Sequence, residues 1–167
     1  VNDAAKAKSE NQTAKGSDTP GAASPDTLFL SLQNNLKNYL PPETDLSVVK
    51  EAYEYAAHCH RDQRRRSGEP YITHPLEVAN ILTSLHLDLA SIIAAILHDV
   101  VEDTEATLEE LESKFGKVVR DLVDGLTKIG KIKFRSNQEK LAENFRKMVL
   151  AMASDLRVIL VKLADRL

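Results

Sequence analysis

The feature that most constrains this chain is a strongly apolar helix that ends in four ionisable side chains. Within Ala94 to Asp103, Leu97 and Val100 are residue types of a buried helix, whereas four neighbours are not: His98, Asp99, Glu102 and Asp103. Burying ionisable groups is costly unless they are paired or bound to a metal. On a helix, positions 98 and 102 share one face and positions 99 and 103 share the adjoining face. The stretch predicts a packed helix whose end presents a metal site, with acids beside it to handle a water molecule.

The rest of the chain has the apolar spacing of helices and lacks the alternation of strands. Candidate caps divide it, including Ser24-Pro25, Thr73, Asp88 and the capping box that begins at Thr107. We therefore predict an all-α fold with a loop over 128–136. The expected helices cover 25–40, 45–66, 73–85, 89–101, 108–116, 118–126, 137–153 and 155–167.

Composition divides the chain into a tail and one domain. Residues 1–24 contain no aromatic residue and are rich in Ala, Lys, Ser and Thr, a composition that cannot offset the entropy of ordering. We expect a disordered tail over 1–24 and a single domain over 25–167. With 167 residues, the chain is long enough for one domain with a sizeable core.

Charge, cysteine content and hydropathy exclude several classes of protein. The net charge of −3 argues against a general nucleic-acid binder. The longest apolar run, Ile92 to Leu97, is far shorter than the roughly 18 residues of a membrane-spanning helix. Cys59 is the single cysteine, so no intrachain disulfide can form, which fits a reducing cytoplasm but also a disulfide-free secreted protein. We expect a cytoplasmic protein that binds neither membranes nor, through this region, nucleic acid.

The His98-Asp99 pair is weak evidence by itself, because a histidine at the solvated end of a helix is the stronger interpretation of the dipeptide alone. Two distant residues make a site more specific: His74 in the first turn of a predicted helix, and Asp165 near the end of another apolar helix. Two imidazoles and two carboxylates suit a first-row divalent ion such as Mn, Fe or Zn. The other histidines have no comparable context, and we expect surface or core roles for His58, His60 and His86.

A basic cluster, Arg64 to Arg66, precedes Ser67-Gly68. It can be a site for an anion such as phosphate, or simply a solvated helix end in which basic residues favour the helix dipole. In isolation the second interpretation is the stronger one. The short distance in sequence to His74 links a possible phosphate clamp to a possible metal ligand.

Taken together, four stretches resemble the hydrolase domain of the RelA/SpoT family. His60 to Pro75 is similar to its opening motif, and Ala95 to Thr104 is similar to its His-Asp motif with the following Glu-Asp. Gly125 to Ile129 and Val161 to Leu167 also match. The resemblance covers about Leu46 to Leu167, and the combination is far more specific than any single motif.

The resemblance implies an all-α HD-type domain that removes pyrophosphate from the 3′ position of ppGpp and pppGpp, giving GDP or GTP, with Mn²⁺ as cofactor. The implied metal ligands are His74, His98, Asp99 and Asp165. Glu102 and Asp103 would orient or activate the attacking water. Arg65 would lie against the guanine base, and Arg66 and Ser67 would help to hold the nucleotide.

Three further expectations follow from the family. Some members have an inactive hydrolase domain that has lost the His-Asp pair; here the pair and both acids are present, which favours a competent hydrolase. The family motif continues beyond Leu167, so we expect the domain to be incomplete at its C-terminus. In the family, a synthetase domain and a regulatory region follow.

Two other functions stay open from the sequence. One is a different HD-type nucleotide phosphohydrolase, which the Arg65 to His74 motif disfavours. The other is a catalytically silent module that binds nucleotide and signals to a partner domain.

Overall fold

The computed structural model describes residues 23–130, Arg146 and residues 155–167. These residues form helices and an isolated pair of bridged residues, with no strand among them, so the predicted all-α class is confirmed. In chain order the helices are α1 (Pro25–Tyr39), α2 (Ser47–Cys59), α3 (Thr73–Thr83), α4 (Leu89–Leu97), α5 (Val100–Asp103), α6 (Leu108–Phe115), α7 (Lys117–Gly130) and α8 (Leu156–Ala164).

Helix α4 lies at the centre of the described fold. It packs against α2, α3, α7 and α8, and every residue from Ser91 to Leu97 is buried. Helix α1 covers α3, and α6 packs on α7. An apolar helix enclosed on all sides brings whatever follows its C-terminus to the junction of several helices, and here that is His98 and Asp99.

Side-chain caps begin several helices where the sequence predicts them. Ser24 accepts a hydrogen bond from the amide of Thr27, and Asp88 accepts one from the amide of Ser91. Thr107 forms the predicted capping box with Glu110. Thr73 is an exception: it is the first residue of α3, and its hydroxyl donates to the carbonyl of Pro70 instead of capping the helix.

The predicted helix over 89–101 is in fact two helices, α4 and α5. The Nδ1 atom of His98 lies 2.7 Å from the carbonyl oxygen of Ala95. In a continuous α-helix that oxygen would accept from the amide of Asp99, so the side chain competes with the helical hydrogen bond. Helical hydrogen bonding resumes in α5, where the amide of Asp103 donates to the carbonyl of Asp99.

The second predicted helix is also shorter than expected and ends at Cys59. The chain then folds back: Arg64 and Pro70 form an antiparallel bridge, and the amide of Arg65 donates to the carbonyl of Glu69. Gly68 has φ +96°, a conformation that favours glycine. The basic cluster therefore lies in a tight loop and not at the end of a helix.

The remaining predictions fall partly or wholly outside the described residues. The predicted loop over 128–136 is wrong for residues 128–130, which continue α7, and residues 131–136 lie outside the described part. The expected helix over 137–153 lies outside it as well, apart from Arg146. So does the expected tail, except for residues 23 and 24.

Helix α8 is anchored beside α4 at its N-terminal end. Arg157 pairs with Asp155, which caps α8, and with Asp88, which caps α4. The guanidinium of Arg157 thus joins the starts of the two helices that lead to His98 and Asp165. The hydrogen bonds from Arg157 lower the pKa of Asp155 below its ordinary value.

Candidate metal centre and neighbouring loop

His98 is held by one ring nitrogen and offers the other. Its side chain is 2% exposed, and Nδ1 donates to the Ala95 carbonyl, because that oxygen can only accept. The Nε2 atom has no hydrogen-bond partner of good geometry, yet it lies 3.2 Å from Oδ1 of Asp99 and 3.4 Å from Oδ1 of Asp165. A buried nitrogen aimed between two carboxylates fits a metal ligand whose tautomer is set by the main chain.

His74 and Asp165 complete the cluster from two other helices. His74, in the first turn of α3, places Nε2 2.9 Å from Oδ1 of Asp165 and 4.0 Å from Oδ2 of Asp99. Asp165 is the C-cap residue of α8. Three segments that are distant in sequence therefore bring all four predicted ligands together.

The charges in the cluster depend on one another. Burial acts to raise the pKa of Asp165, but the close nitrogen atoms of His74, His98 and Lys162 hold that pKa far below its ordinary value. Burial acts to lower the pKa of His98, but the contact of its Nε2 atom with Asp165 and the charge of Asp99 outweigh that effect and raise the pKa. Because the pKa of His98 is raised, protons and a divalent cation compete for its Nε2 atom.

The donor set is compact enough for one ion. One ligand atom each from His74, His98 and Asp99 lies within 4.8 Å of the other two, and Asp165 contacts both histidines. Imidazole nitrogens with carboxylate oxygens suit first-row divalent ions. The residues present thus fit a single divalent cation.

Glu102 and Asp103 lie on α5, directly after the cluster, and both are exposed. Partial burial and the nearby charges of Asp99 and Asp103 raise the pKa of Glu102, although the charge of Lys162 acts in the opposite direction. Asp103 places Oδ2 3.2 Å from the hydroxyl of Tyr71. The two acids thus border the ligand cluster without belonging to it.

The predicted nucleotide-binding residues occupy the loop between α2 and α3. Arg65 forms a 2.8 Å ion pair with Glu77, which lies one turn after His74 on α3. Arg66 and Ser67 are exposed at the turn that Gly68 closes. The ion pair connects this loop to the helix that supplies His74.

The HD-domain family model matches residues 52–167, which is more than half of the chain. A solved structure described as a metazoan ortholog of SpoT that hydrolyzes ppGpp is 33% identical, with a TM-score of 0.56, and the match covers 73% of this chain and 67% of that one. This chain is an HD domain of the RelA/SpoT family.

Relatives of this HD domain are much longer proteins. The bifunctional (p)ppGpp synthase/hydrolase SpoT of Escherichia coli K12 is 52% identical over 139 residues, which cover 83% of this chain and 20% of the relative. A GTP pyrophosphokinase of Myxococcus xanthus is 59% identical over 128 residues, 75% of this chain and 17% of that protein. The chain thus spans about a fifth of the length of the curated relatives it matches.

Contacts of this HD domain include side chains that sequence reasoning did not single out. Tyr71 donates to Asp99 at 2.6 Å, and Lys162 lies 2.8 Å from Oδ2 of Asp165. The spacing of Lys162 and Asp165, three residues apart on one helix, could have revealed the second contact. Tyr71 reaches Asp99 from a loop, so only its proximity to His74 in sequence could have drawn attention to it.

The remaining histidines lie outside the cluster. His58 and His86 are exposed, whereas His60 is buried and lies 2.8 Å from Oε1 of Gln63. No helix within the described ranges is long and apolar enough to cross a membrane.

Proposed function

We propose that this HD domain is a (p)ppGpp 3′-pyrophosphohydrolase, which converts ppGpp or pppGpp and water into GDP or GTP and pyrophosphate. One observation carries the proposal above all: His74, His98, Asp99 and Asp165 converge from three segments beside a pair of exposed acids and an arginine loop. Relatives named for this hydrolysis, among them that of Aquifex aeolicus at 56% identity over 119 residues, support the choice of substrate.

The proposed cofactor is Mn²⁺, held by His74, His98, Asp99 and Asp165. When bound, such an ion supplies Lewis acidity and lowers the pKa of a water molecule. The chain supports this role by fixing the tautomer of His98 through the Ala95 carbonyl and by keeping Asp165 ionised beside Lys162.

Glu102 is the proposed general base. Its carboxylate lies one helical turn after His98, and it is exposed to solvent from which a water molecule can enter. In this scheme Glu102 takes a proton from the water as the water attacks phosphorus, while Asp103 orients that water. The bond between the 3′ oxygen and phosphorus breaks, the 3′ oxygen takes a proton from solvent, and Glu102 returns its proton to solvent as GDP or GTP and pyrophosphate are released.

Arg65 is the proposed contact to the guanine base, and Arg66 with Ser67 would bind the nucleotide. A guanidinium can stack on a base and can also bind phosphate oxygens. Glu77 supports this role because its ion pair orients the guanidinium of Arg65 toward α3.

The domain is proposed to act within a longer cytoplasmic protein that takes part in the stringent response. In this assignment, residues 1–24 are a tail and residues 25–167 belong to the hydrolase domain, which continues past Leu167. A synthetase domain and a regulatory region would follow, consistent with relatives about five times longer than the match. The partners proposed for this region are guanine nucleotides.

A substrate panel tests the proposal. The protein, extended past Leu167, is incubated with Mn²⁺ and separately with ppGpp, GTP or dGTP, and the products are separated by anion-exchange chromatography. We expect GDP and pyrophosphate from ppGpp and little product from the other two. Comparable cleavage of dGTP would favour a different nucleotide phosphohydrolase, and binding of ppGpp without cleavage would favour a silent module.

Asp99→Asn provides the matched control, because it preserves the size of the side chain but removes the charge of a proposed ligand. Alterations to groups that merely support metal ligands cost about 10- to 100-fold, so loss of a ligand should cost at least about 100-fold in hydrolysis.

A further inference from the structure

The loop that leads into α3 places a tyrosine against the metal cluster. Tyr71 is fixed at its backbone, where its amide donates to the carbonyl of Gln63 at 3.1 Å. Its ring packs against His60, with centroids 4.7 Å apart, and lies edge-on to His74 at 6.2 Å. The ring therefore has little freedom to move its hydroxyl away from the cluster.

The hydroxyl of Tyr71 connects a proposed metal ligand with a proposed catalytic acid. It lies 2.6 Å from Oδ2 of Asp99 and 3.2 Å from Oδ2 of Asp103. Ionised carboxylates only accept hydrogen bonds, so the tyrosine is the donor. One O–H group is thus shared between two carboxylates that would otherwise repel each other.

The two carboxylate oxygens of Asp99 make different contacts. Oδ1 lies 3.2 Å from Nε2 of His98, whereas Oδ2 accepts from Tyr71 and is 4.0 Å from Nε2 of His74. Rotation about the last torsion of an aspartate is soft. Asp99 also lies at the break between α4 and α5, so its carboxylate depends on side-chain contacts for its orientation.

A second link makes the loop a rigid support. Gln63 donates from Nε2 to the carbonyl of Asp103 at 2.7 Å, and its Oε1 lies 2.8 Å from Nδ1 of the buried His60. The loop is therefore joined to α5 at two points, through Gln63 and through Tyr71. Between these points lies the proposed nucleotide-binding residue Arg65.

We propose that Tyr71 is a positioning residue whose hydroxyl holds the Asp99 carboxylate in its metal-binding orientation and keeps Asp103 beside it. The inference rests on the proposed function, because it takes Asp99 as a metal ligand. It assigns a role to a side chain that is not among the proposed metal ligands or nucleotide-binding residues. Its effect should therefore appear in metal affinity before any turnover takes place.

Direct titration of the same protein, extended past Leu167, with Mn²⁺ tests this role. Tyr71→Phe keeps the ring and removes only the hydroxyl, and the free ion is followed by electron paramagnetic resonance. We expect the Kd for Mn²⁺ to rise about 10- to 100-fold, the usual effect of losing a group that orients a ligand. Tyr53→Phe is the control, because its hydroxyl also approaches a carboxylate, Oδ1 of Asp26 at 3.4 Å, on an exposed surface.

The outcomes separate this inference from the proposed function. If the unaltered chain binds Mn²⁺ and Tyr71→Phe binds it equally tightly, the positioning role is overturned while the hydrolase proposal stands. That conclusion holds even if Tyr71→Phe lowers the melting temperature, because a purely structural role would do so. Failure of the unaltered chain to bind Mn²⁺ would overturn both.

Discussion

The imidazole of His98 shows how one residue can be set for metal binding by the main chain. Its Nδ1 atom donates to the carbonyl of Ala95 at the end of α4, and its Nε2 atom lies 3.2 Å from Oδ1 of Asp99. The Ala95 carbonyl thus fixes the tautomer of His98 and leaves Nε2 facing the next proposed ligand. Because the pKa of His98 is raised, protons compete with a cation for Nε2, and metal affinity should weaken as the pH falls.

Glu102 should be separable from the ligands by experiment. Glu102→Gln removes the proposed base but none of the four ligands, so kcat should fall about 10²- to 10⁴-fold while the Kd for Mn²⁺ stays unchanged. Steady-state kinetics at saturating Mn²⁺ and a metal titration measure the two effects. Glu105→Gln, an exposed neighbour beyond α5, is the control. Full activity of Glu102→Gln would remove Glu102 from the mechanism.

The pH dependence of kcat should report the environment of Glu102. Burial raises the pKa of Glu102 and Lys162 opposes that rise. A base must be ionised, so kcat should decline as the pH falls through this raised pKa. Lys162→Met should raise the pKa further and move the acid limb to higher pH, measured between about pH 5 and 8. If the acid limb of the kcat profile does not move in Lys162→Met, Glu102 is not the group whose ionisation limits kcat.

Arg65 should act on nucleotide affinity. Arg65→Ala removes a stacking cation, a loss that corresponds to an increase of about 3- to 30-fold in the Kd for ppGpp. Equilibrium binding to a Glu102→Gln background, in which hydrolysis is slow, measures this at saturating Mn²⁺. Arg120→Ala is the matched control. Arg120 on α7 also forms an ion pair with a glutamate, Glu112 on α6, but it lies outside the proposed nucleotide site. If Arg65→Ala and Arg120→Ala bind ppGpp with equal affinity, the guanine base does not stack on Arg65.

At the scale of the elements, the approach of α8 to α7 determines where Asp165 lies. A Cβ atom at Gly125 would meet Cγ2 of Val158 at 3.0 Å. Val158 is buried and β-branched, so it cannot easily turn away. Glycine at 125 thus lets the helix that carries Asp165 pack closely.

Gly125→Ala should therefore destabilise the fold. Overpacking of roughly 1–3 kcal/mol should exceed the gain of about 1 kcal/mol in helix propensity. Chemical denaturation of Gly125→Ala, Val158→Ala and the double variant measures the coupling. We expect Gly125→Ala to cost less stability in the Val158→Ala background, where the close methyl groups are absent. If the losses of stability in Gly125→Ala and Val158→Ala simply add in the double variant, a steric clash between the two side chains is not the cause.

The elements show what a sequence can and cannot predict. Capping residues such as Ser24, Asp88 and Thr107 act within one turn, so their positions were predictable. The break after Leu97 was not, because it depends on a side chain competing for a backbone carbonyl. The hairpin-like loop over 64–70 was missed for a similar reason: its hydrogen bonds join residues within the loop, and helical spacing does not report them.

At the scale of the whole molecule, the candidate site depends on tertiary packing. The sequence could nominate His74, His98, Asp99 and Asp165, but their convergence requires α3, α4 and α8 to meet. The contribution of Tyr71 emerges only from that packing. The roles of these residues and the identity of the ion stay predictions.

The most direct test of the central claim is hydrolysis of ppGpp in ¹⁸O-labelled water, with and without Mn²⁺, followed by mass spectrometry of both products. If water attacks the 3′-pyrophosphoryl group, one labelled oxygen should appear in pyrophosphate and none in GDP, and chelation of the metal should stop the reaction. Label in GDP, or equal turnover in the presence of a chelator, would contradict the account.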